Sequence, residues 1–313
     1  MRKRIVVGLA LLAHAACGAA APDKVPQTDT MAEMAKMARV PGGDSRIGSD
    51  HGRADEGPSF YAHVAPFDLD RTPVTVAAFS EFAARTHYVT QAERTGTSAV
   101  MTFGTGQWSL VPGANWRKPE GPQGPGAEAA HPVTQVSWND ASAYCAAEGK
   151  RLPSEVEFEH ATRAGGAPGQ GFAFGEALEK DGKYRANVWT GVFPVINTAA
   201  DGFRTTSPVG AFGASPLGLT DMAGNVWEWT SSWYEPYTPH PNPLPVNGER
   251  GQGKKDGERE KGPATEKVQR GGSFLCDPKF CYGFRATARG HATPDSSHMH
   301  VGFRCAKDAK DQT

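Results

Sequence analysis

An excess of either charge is missing from this chain: 33 Lys and Arg stand against 34 Asp and Glu in 313 residues, for a formal net charge of −1. With no basic stripe to meet phosphates, nucleic acid is not an expected partner. Long apolar runs are missing too. The best candidate, Ile5 to Ala13, is too short to span a bilayer as a permanent anchor. No internal repeat appears, which argues against a solenoid. Cysteine is scarce, with 5 residues in the whole chain. Each one therefore needs its own account.

Glycine (37), proline (24), Phe (15) and Trp (7) are plentiful instead, which suggests a loop-rich globule pinned by aromatic side chains. The length suits one large domain or two modest ones and leaves room for a core. The N-terminus has the form of an export signal over residues 1–21. Arg2-Lys3-Arg4 is a basic opening, the apolar run follows, and Ala15 to Ala21 supplies small residues for cleavage. Cys17 before Gly18 offers a lipoprotein variant of that signal, although His14 stands where such sites usually carry an aliphatic residue. Either way the mature protein is expected outside the cytoplasm, periplasmic or secreted, where disulfides persist.

Residues 22–39 read as a flexible lead-in, and the folded region is expected to start at Val40. Phe67 to Asp70 alternates as a strand. Thr75 can cap a helix with Phe79, Phe82 and Ala83 on one side. Asn139 or Ser137 starts a second helix carrying Ala141, Tyr144 and Cys145, with Gly149 at its end. Ser154-Glu155-Val156-Glu157 is a capping box for a third, which stops before Gly165-Gly166. Irregular loops and short strands follow up to Trp233. Residues 236–264, proline-rich and then polar, read as a mobile insertion. Structured sequence resumes at Val268 and ends near Cys305, before a charged tail placed at 308–313.

If Cys17 leaves with the signal or is lipidated, Cys145, Cys276, Cys281 and Cys305 remain. Four cysteines allow three connectivities, and the residues alone do not choose among them. The pair Cys276 and Cys281 lies in Arg270-Gly271-Gly272-Ser273-Phe274-Leu275-Cys276-Asp277-Pro278-Lys279-Phe280-Cys281-Tyr282. Five residues is an awkward helical spacing, and the flanking glycines and Pro278 point to a shaped loop. Two thiols at that range suit a cuprous ion, a reversible disulfide or attack on an electrophile.

The same stretch, taken with Thr293-Pro294-Asp295-Ser296-Ser297 and Val301-Gly302-Phe303-Arg304-Cys305, closely resembles the formylglycine-generating enzymes, or sulfatase-modifying factors. Upstream matches are Gly113 to Gly121, His131-Pro132-Val133, Val136 to Ala141, and Gly149 to Glu155. Ala186 to Trp189, Asn197-Thr198, Asp201-Gly202-Phe203 and Gly224 to Ser231 complete the pattern over about residues 40–307. The resemblance implies an α+β, loop-rich fold, a C-type-lectin-like variant. Many relatives with that fold do other chemistry or none, and the cysteine pair is the feature that discriminates among them.

The resemblance further implies oxidation of a cysteine to Cα-formylglycine within a Cys-x-Pro-x-Arg motif of an unfolded sulfatase polypeptide. Molecular oxygen is the oxidant and an external thiol or other reductant completes the balance. Cys276 and Cys281 would hold Cu(I), Ser273 would help position oxygen or water, and Trp229 would wall the oxygen site. Cys145 and Cys305 match a structural disulfide of the family, whereas Thr162 and Ala286 replace the cysteines of a second one. Two Ca²⁺ sites are implied, one at Asn187, Val188, Asp201 and Phe203, the other at Asp221, Met222, Gly224 and Val226. A monomer is expected. The bland counterparts are a Cys276–Cys281 disulfide in a non-catalytic envelope factor, and turn-forming Asn and Asp residues in place of calcium ligands. His291, His298 and His300 read as surface or rim histidines, and Lys254-Lys255 as part of a solvated loop.

Overall fold

In this computed structural model, residues 36–165, 172–175, 177–237, 244–245, 265–279 and 281–309 are described. Their helices start where side chains satisfy free amides. Thr75 accepts the Ala78 N–H and opens α1 (Val76–Thr86), which ends on His87 in the left-handed region. Thr90 and Glu93 form a reciprocal capping box for α2 (Gln91–Thr95). Ser137 and Asp140 do the same for α3 (Trp138–Ala147), which settles the start on Ser137 rather than Asn139. Ser154 and Glu157 cap α4 (Glu155–Thr162).

The short helix α4 lies against strands Gly43–Ile47, Phe60–Val64, Trp227–Trp233 and Lys267–Arg270. Because it is enclosed on several sides, its acidic residues cannot face water and must find cations. Glu155 takes Arg289 (3.0 Å), Glu157 takes Arg151 (2.7 Å), and Glu159 takes Arg270. The last pair fixes the end of a strand from which the cysteine loop departs.

Small sheets carry the rest. Lys267–Arg270 lies between Gly290–Ala292 and Trp227–Trp233, and Val301–Gly302 adds to Trp227–Trp233 in parallel. Phe67–Asp70 pairs antiparallel with Met37–Val40 on one side and Ala306–Asp308 on the other. The main aromatic core gathers Phe79, Phe82, Trp116, Tyr144 and Phe303 around Cys145 and Cys305. These two cysteines form a disulfide, with Cα atoms 5.6 Å apart across a sequence separation of 160.

Some boundaries move. Met37–Val40 is a paired strand, so ordered structure begins ahead of Val40, within what the sequence reads as lead-in. Asp308 belongs to the last strand and binds Arg151 at 2.6 Å, so the fold reaches into the segment read as tail. Tyr237 is buried against Phe60 and donates its hydroxyl to Glu155, placing it in the core and not in an insertion. The signal at 1–21, Cys17, most of the lead-in and nearly all of 238–264, including Lys254 and Lys255, lie outside the described residues. Among the described residues no helix is long and apolar enough to cross a membrane.

Candidate active site

Arg270 is fully buried, giving its guanidinium to Glu159 and to the carbonyls of Ala286 (2.7 Å) and Thr287 (3.2 Å). From that anchor the chain turns through Gly271 (φ 93°) and Gly272 (φ 73°), a conformation that side chains resist. A Cβ at Gly272 would stand 2.6 Å from the backbone of Gly283 and Phe284. The two arms of the loop therefore cross backbone against backbone. Ser273 is buried beyond the crossing, and the Phe274 N–H is tied to the Asn225 carbonyl at 2.9 Å.

The crossing brings Cys276 and Cys281 together as free thiols, the first buried and the second partly exposed. Each sulfur receives a backbone amide: Ser273 N–H to Cys276 Sγ (3.4 Å) and Gly283 N–H to Cys281 Sγ (3.3 Å). A Cβ at Gly283 would sit 2.6 Å from Cys276 Sγ, 2.7 Å from the Trp227 ring and 3.1 Å from Cys281 Sγ. Only glycine leaves that cradle open. The thiols also share a hydrogen bond, which with burial pushes Cys276 well above the usual thiol range. The same bond, the Gly283 amide and the fields of Arg53 and Arg285 bring Cys281 down to about 7. Cys281 is thus the sulfur that gives up its proton first, and Cys276 the one that keeps it. This donor set fits a two-coordinate cuprous ion.

The tryptophan is a correction to the sequence reading. Trp229 is fully buried in the main core and donates its indole N–H to the Val136 carbonyl at 3.0 Å, away from the thiols. Trp227 packs with Cys276, Cys281 and Phe284 instead. Ser273 is buried next to the cysteine pair. Its hydroxyl accepts the Leu275 N–H at 3.2 Å and hydrogen-bonds to Cys276.

The two candidate calcium sets differ. Asp201 accepts the Val188 N–H (2.9 Å) and the Phe203 N–H (3.0 Å), and next to it the buried Asn187 Oδ1 has no partner. A bare amide oxygen beside a carboxylate fits a hard cation. In the second set, Asp221 already accepts from Gly210 (2.6 Å), Thr220 (2.8 Å) and Asn225 (3.4 Å). Asp221 is the one side-chain donor of that set, whose other members, Met222, Gly224 and Val226, would contribute backbone carbonyls, and the set shows no counterpart to the bare Asn187 oxygen. Among the described residues no group of three or more His, Cys, Asp or Glu side chains could hold a metal.

Asn225 is the residue the sequence analysis passed over. With φ 63°, it accepts from Asn187 (3.3 Å) and Ser207 (3.0 Å), and its carbonyl holds the cysteine loop at Phe274. The one local signal was the Gly224-Asn225 dipeptide, a pair that tolerates left-handed backbone. The three histidines differ from one another in depth. His291 is on the surface, bound to Glu266 at 2.8 Å and stacked on Tyr234. His298 and His300 are half-buried, and burial lowers both below the ordinary imidazole range.

Comparison with known proteins gives the site its context. A profile described as sulfatase-modifying factor enzyme 1-like domain matches residues 22–309. A formylglycine-generating enzyme of Streptomyces coelicolor is 42% identical over 87% of this chain and 89% of its own length. A mouse protein named inactive C-alpha-formylglycine-generating enzyme 2 is 38% identical over 87% of this chain and 86% of its own. The solved structure of PvdO from Pseudomonas aeruginosa superposes with a TM-score of 0.62 at 26% identity, covering 87% of this chain and 94% of that one.

Proposed function

The chain belongs to the sulfatase-modifying factor enzyme 1-like family, and we propose that it oxidises a cysteine of a sulfatase polypeptide to Cα-formylglycine. The observation that carries this reading is the pair of free thiols, Cys276 and Cys281, held in an open glycine cradle with a backbone amide aimed at each sulfur. Overall identity does not suffice, because a relative named inactive is nearly as similar as one named for the activity.

The residues that would hold Cu(I) are Cys276 and Cys281. Bound there, copper would supply oxygen activation and a soft attachment point for the substrate thiol. Binding it requires both sulfurs as thiolates, and the chain makes the first deprotonation easy at Cys281. Ser273 steadies the Cys276 sulfur through its amide and hydroxyl. Trp227 closes one side of the sulfur pair against water, the role first read into Trp229. The balance of the reaction fixes the co-reactants. A CH₂–SH group, O₂, two electrons and two protons give an aldehyde, H₂S and water, so an external thiol or similar reductant must supply the electron pair. The client motif is Cys-x-Pro-x-Arg in an unfolded segment.

Asn187 and Asp201, with Val188 and Phe203, would hold one structural Ca²⁺. The Cys145–Cys305 disulfide supports placing the enzyme outside the cytoplasm, in the periplasm or secreted, with lipid attachment at Cys17 as the anchored variant. It would act as a monomer. The test is incubation of the copper-loaded protein with a Cys-x-Pro-x-Arg peptide under oxygen and a thiol reductant. Mass spectrometry should show the loss that marks conversion of a thiol to an aldehyde. No conversion by the loaded wild type would leave the envelope-factor reading standing.

A further inference from the structure

Two nitrogen donors beside the active site have no role in that chemistry. The rings of His298 and His300 lie 5.8 Å apart, nearly perpendicular, and the Nδ1 atom of each is buried without a hydrogen-bond partner. Buried imidazole nitrogens are ordinarily satisfied, so two orphans side by side require an explanation. Exposed Trp108 covers them, with its ring 4.9 Å from His300 and 5.8 Å from His298. The segment is held on both sides. The Gln135 N–H reaches the His298 carbonyl (3.1 Å), the Met299 N–H reaches Ala99 (3.1 Å), and the Trp227 N–H reaches His300 (2.9 Å).

We propose that His298 and His300 form a two-imidazole site for a cuprous ion, through which copper reaches Cys276 and Cys281. An ion held between two imidazoles by bonds of about 2 Å sets the ring centroids roughly 5.5 to 6.5 Å apart, and the observed separation falls within that range. With no third His, Cys, Asp or Glu donor among the described residues, the pair cannot complete a tetrahedral zinc site. Two-coordinate Cu(I) needs no third ligand. Trp108, within about 6 Å of both imidazoles, is an aromatic neighbour of the kind that attracts a monovalent cation. The site adjoins the thiols by two routes. Met299 packs in one cluster with Phe274 and Leu275, the residues just before Cys276. Trp227, bonded to the His300 carbonyl, touches the sulfur cradle with its ring. The delivery role rests on the copper reading of the thiols, whereas the imidazole site itself does not.

The experiment is anaerobic Cu(I) titration against a bicinchoninate competitor, with X-ray absorption to identify ligands. It compares the wild type, Cys276→Ser/Cys281→Ser and His298→Asn/His300→Asn. Wild type with both thiols alkylated serves as a second thiol-free preparation whose fold is already formed. Both thiol-free proteins should keep one Cu(I) with nitrogen ligands. The histidine variant should keep one with sulfur ligands, and its thiols should fill at least about tenfold more slowly when copper is limiting. Thiol-free protein that binds no Cu(I) overturns the site. Thiols that fill at the wild-type rate in the histidine variant overturn the delivery role. If nitrogen-ligated copper appears but sulfur ligation is found in no preparation, the thiol reading has failed and the imidazole site stands.

Discussion

Two pairs of cysteines in one chain have opposite fates. Cys145 and Cys305 are both fully buried in the aromatic cluster of Phe79, Tyr144 and Phe303, and they are bonded to each other. Cys276 and Cys281 are closer in sequence yet remain thiols, each facing a backbone amide and sharing a gap that a single Cβ at Gly283 would fill. Amide donors and nearby guanidinium charge favour thiolate, whereas an apolar shell favours the uncharged covalent bridge. Environment, not spacing, separates the structural pair from the reactive one.

The sharpest way to break that contrast is Cys281→Ser. Turnover of the substrate peptide should fall by at least about 10³-fold, the scale on which one member of a catalytic unit matters. The melting temperature, read by calorimetry, should barely move. Unchanged turnover would end the claim that this pair is the reactive one. The converse variant, Cys145→Ala/Cys305→Ala, should cost about 2–5 kcal/mol of unfolding free energy in denaturant titration and leave turnover of the folded fraction intact. A stability loss below that range would mean that the bridge only decorates the core.

Gly283→Ala probes the cradle between the thiols. Its added methyl should push the sulfurs apart and weaken Cu(I) affinity by about 10- to 100-fold in competitor titration, while the disulfide stays formed. The smallest effect is one of pH. A thiolate reacts with iodoacetamide and a thiol does not, so labelling at Cys281 should rise with pH and be half-maximal near about 7. Cys276, raised by burial and by its partner, should lag behind it at every pH below the usual thiol range. Peptide mapping after timed labelling reads both sites. Equal labelling of the two would refute the difference in acidity.

The parts legible in the sequence are those written in short-range chemistry. Thr75, Ser137 and Ser154 announced their helices because a cap depends on residues three positions apart. The cysteine pair announced itself by residue type and flanking glycines. The tryptophan assignment failed for a physical reason. Trp227 and Trp229 are two positions apart on a strand and share a face, so only depth in the core separates them. Pattern does not encode depth. Gly283 and Asn225 were invisible for a related reason, since what they touch is remote in sequence.

The sheet that joins Met37–Val40, Phe67–Asp70 and Ala306–Asp308 also has a temporal meaning. Its central strand, made early, stays half-paired until the last residues of the fold arrive. Pairing of such high contact order is slow and comes late. A chain threading through a membrane or leaving a ribosome therefore cannot close this sheet until it is nearly all released. Trimming the final few residues should act on maturation of the enzyme itself and leave the chemistry of a molecule already closed untouched.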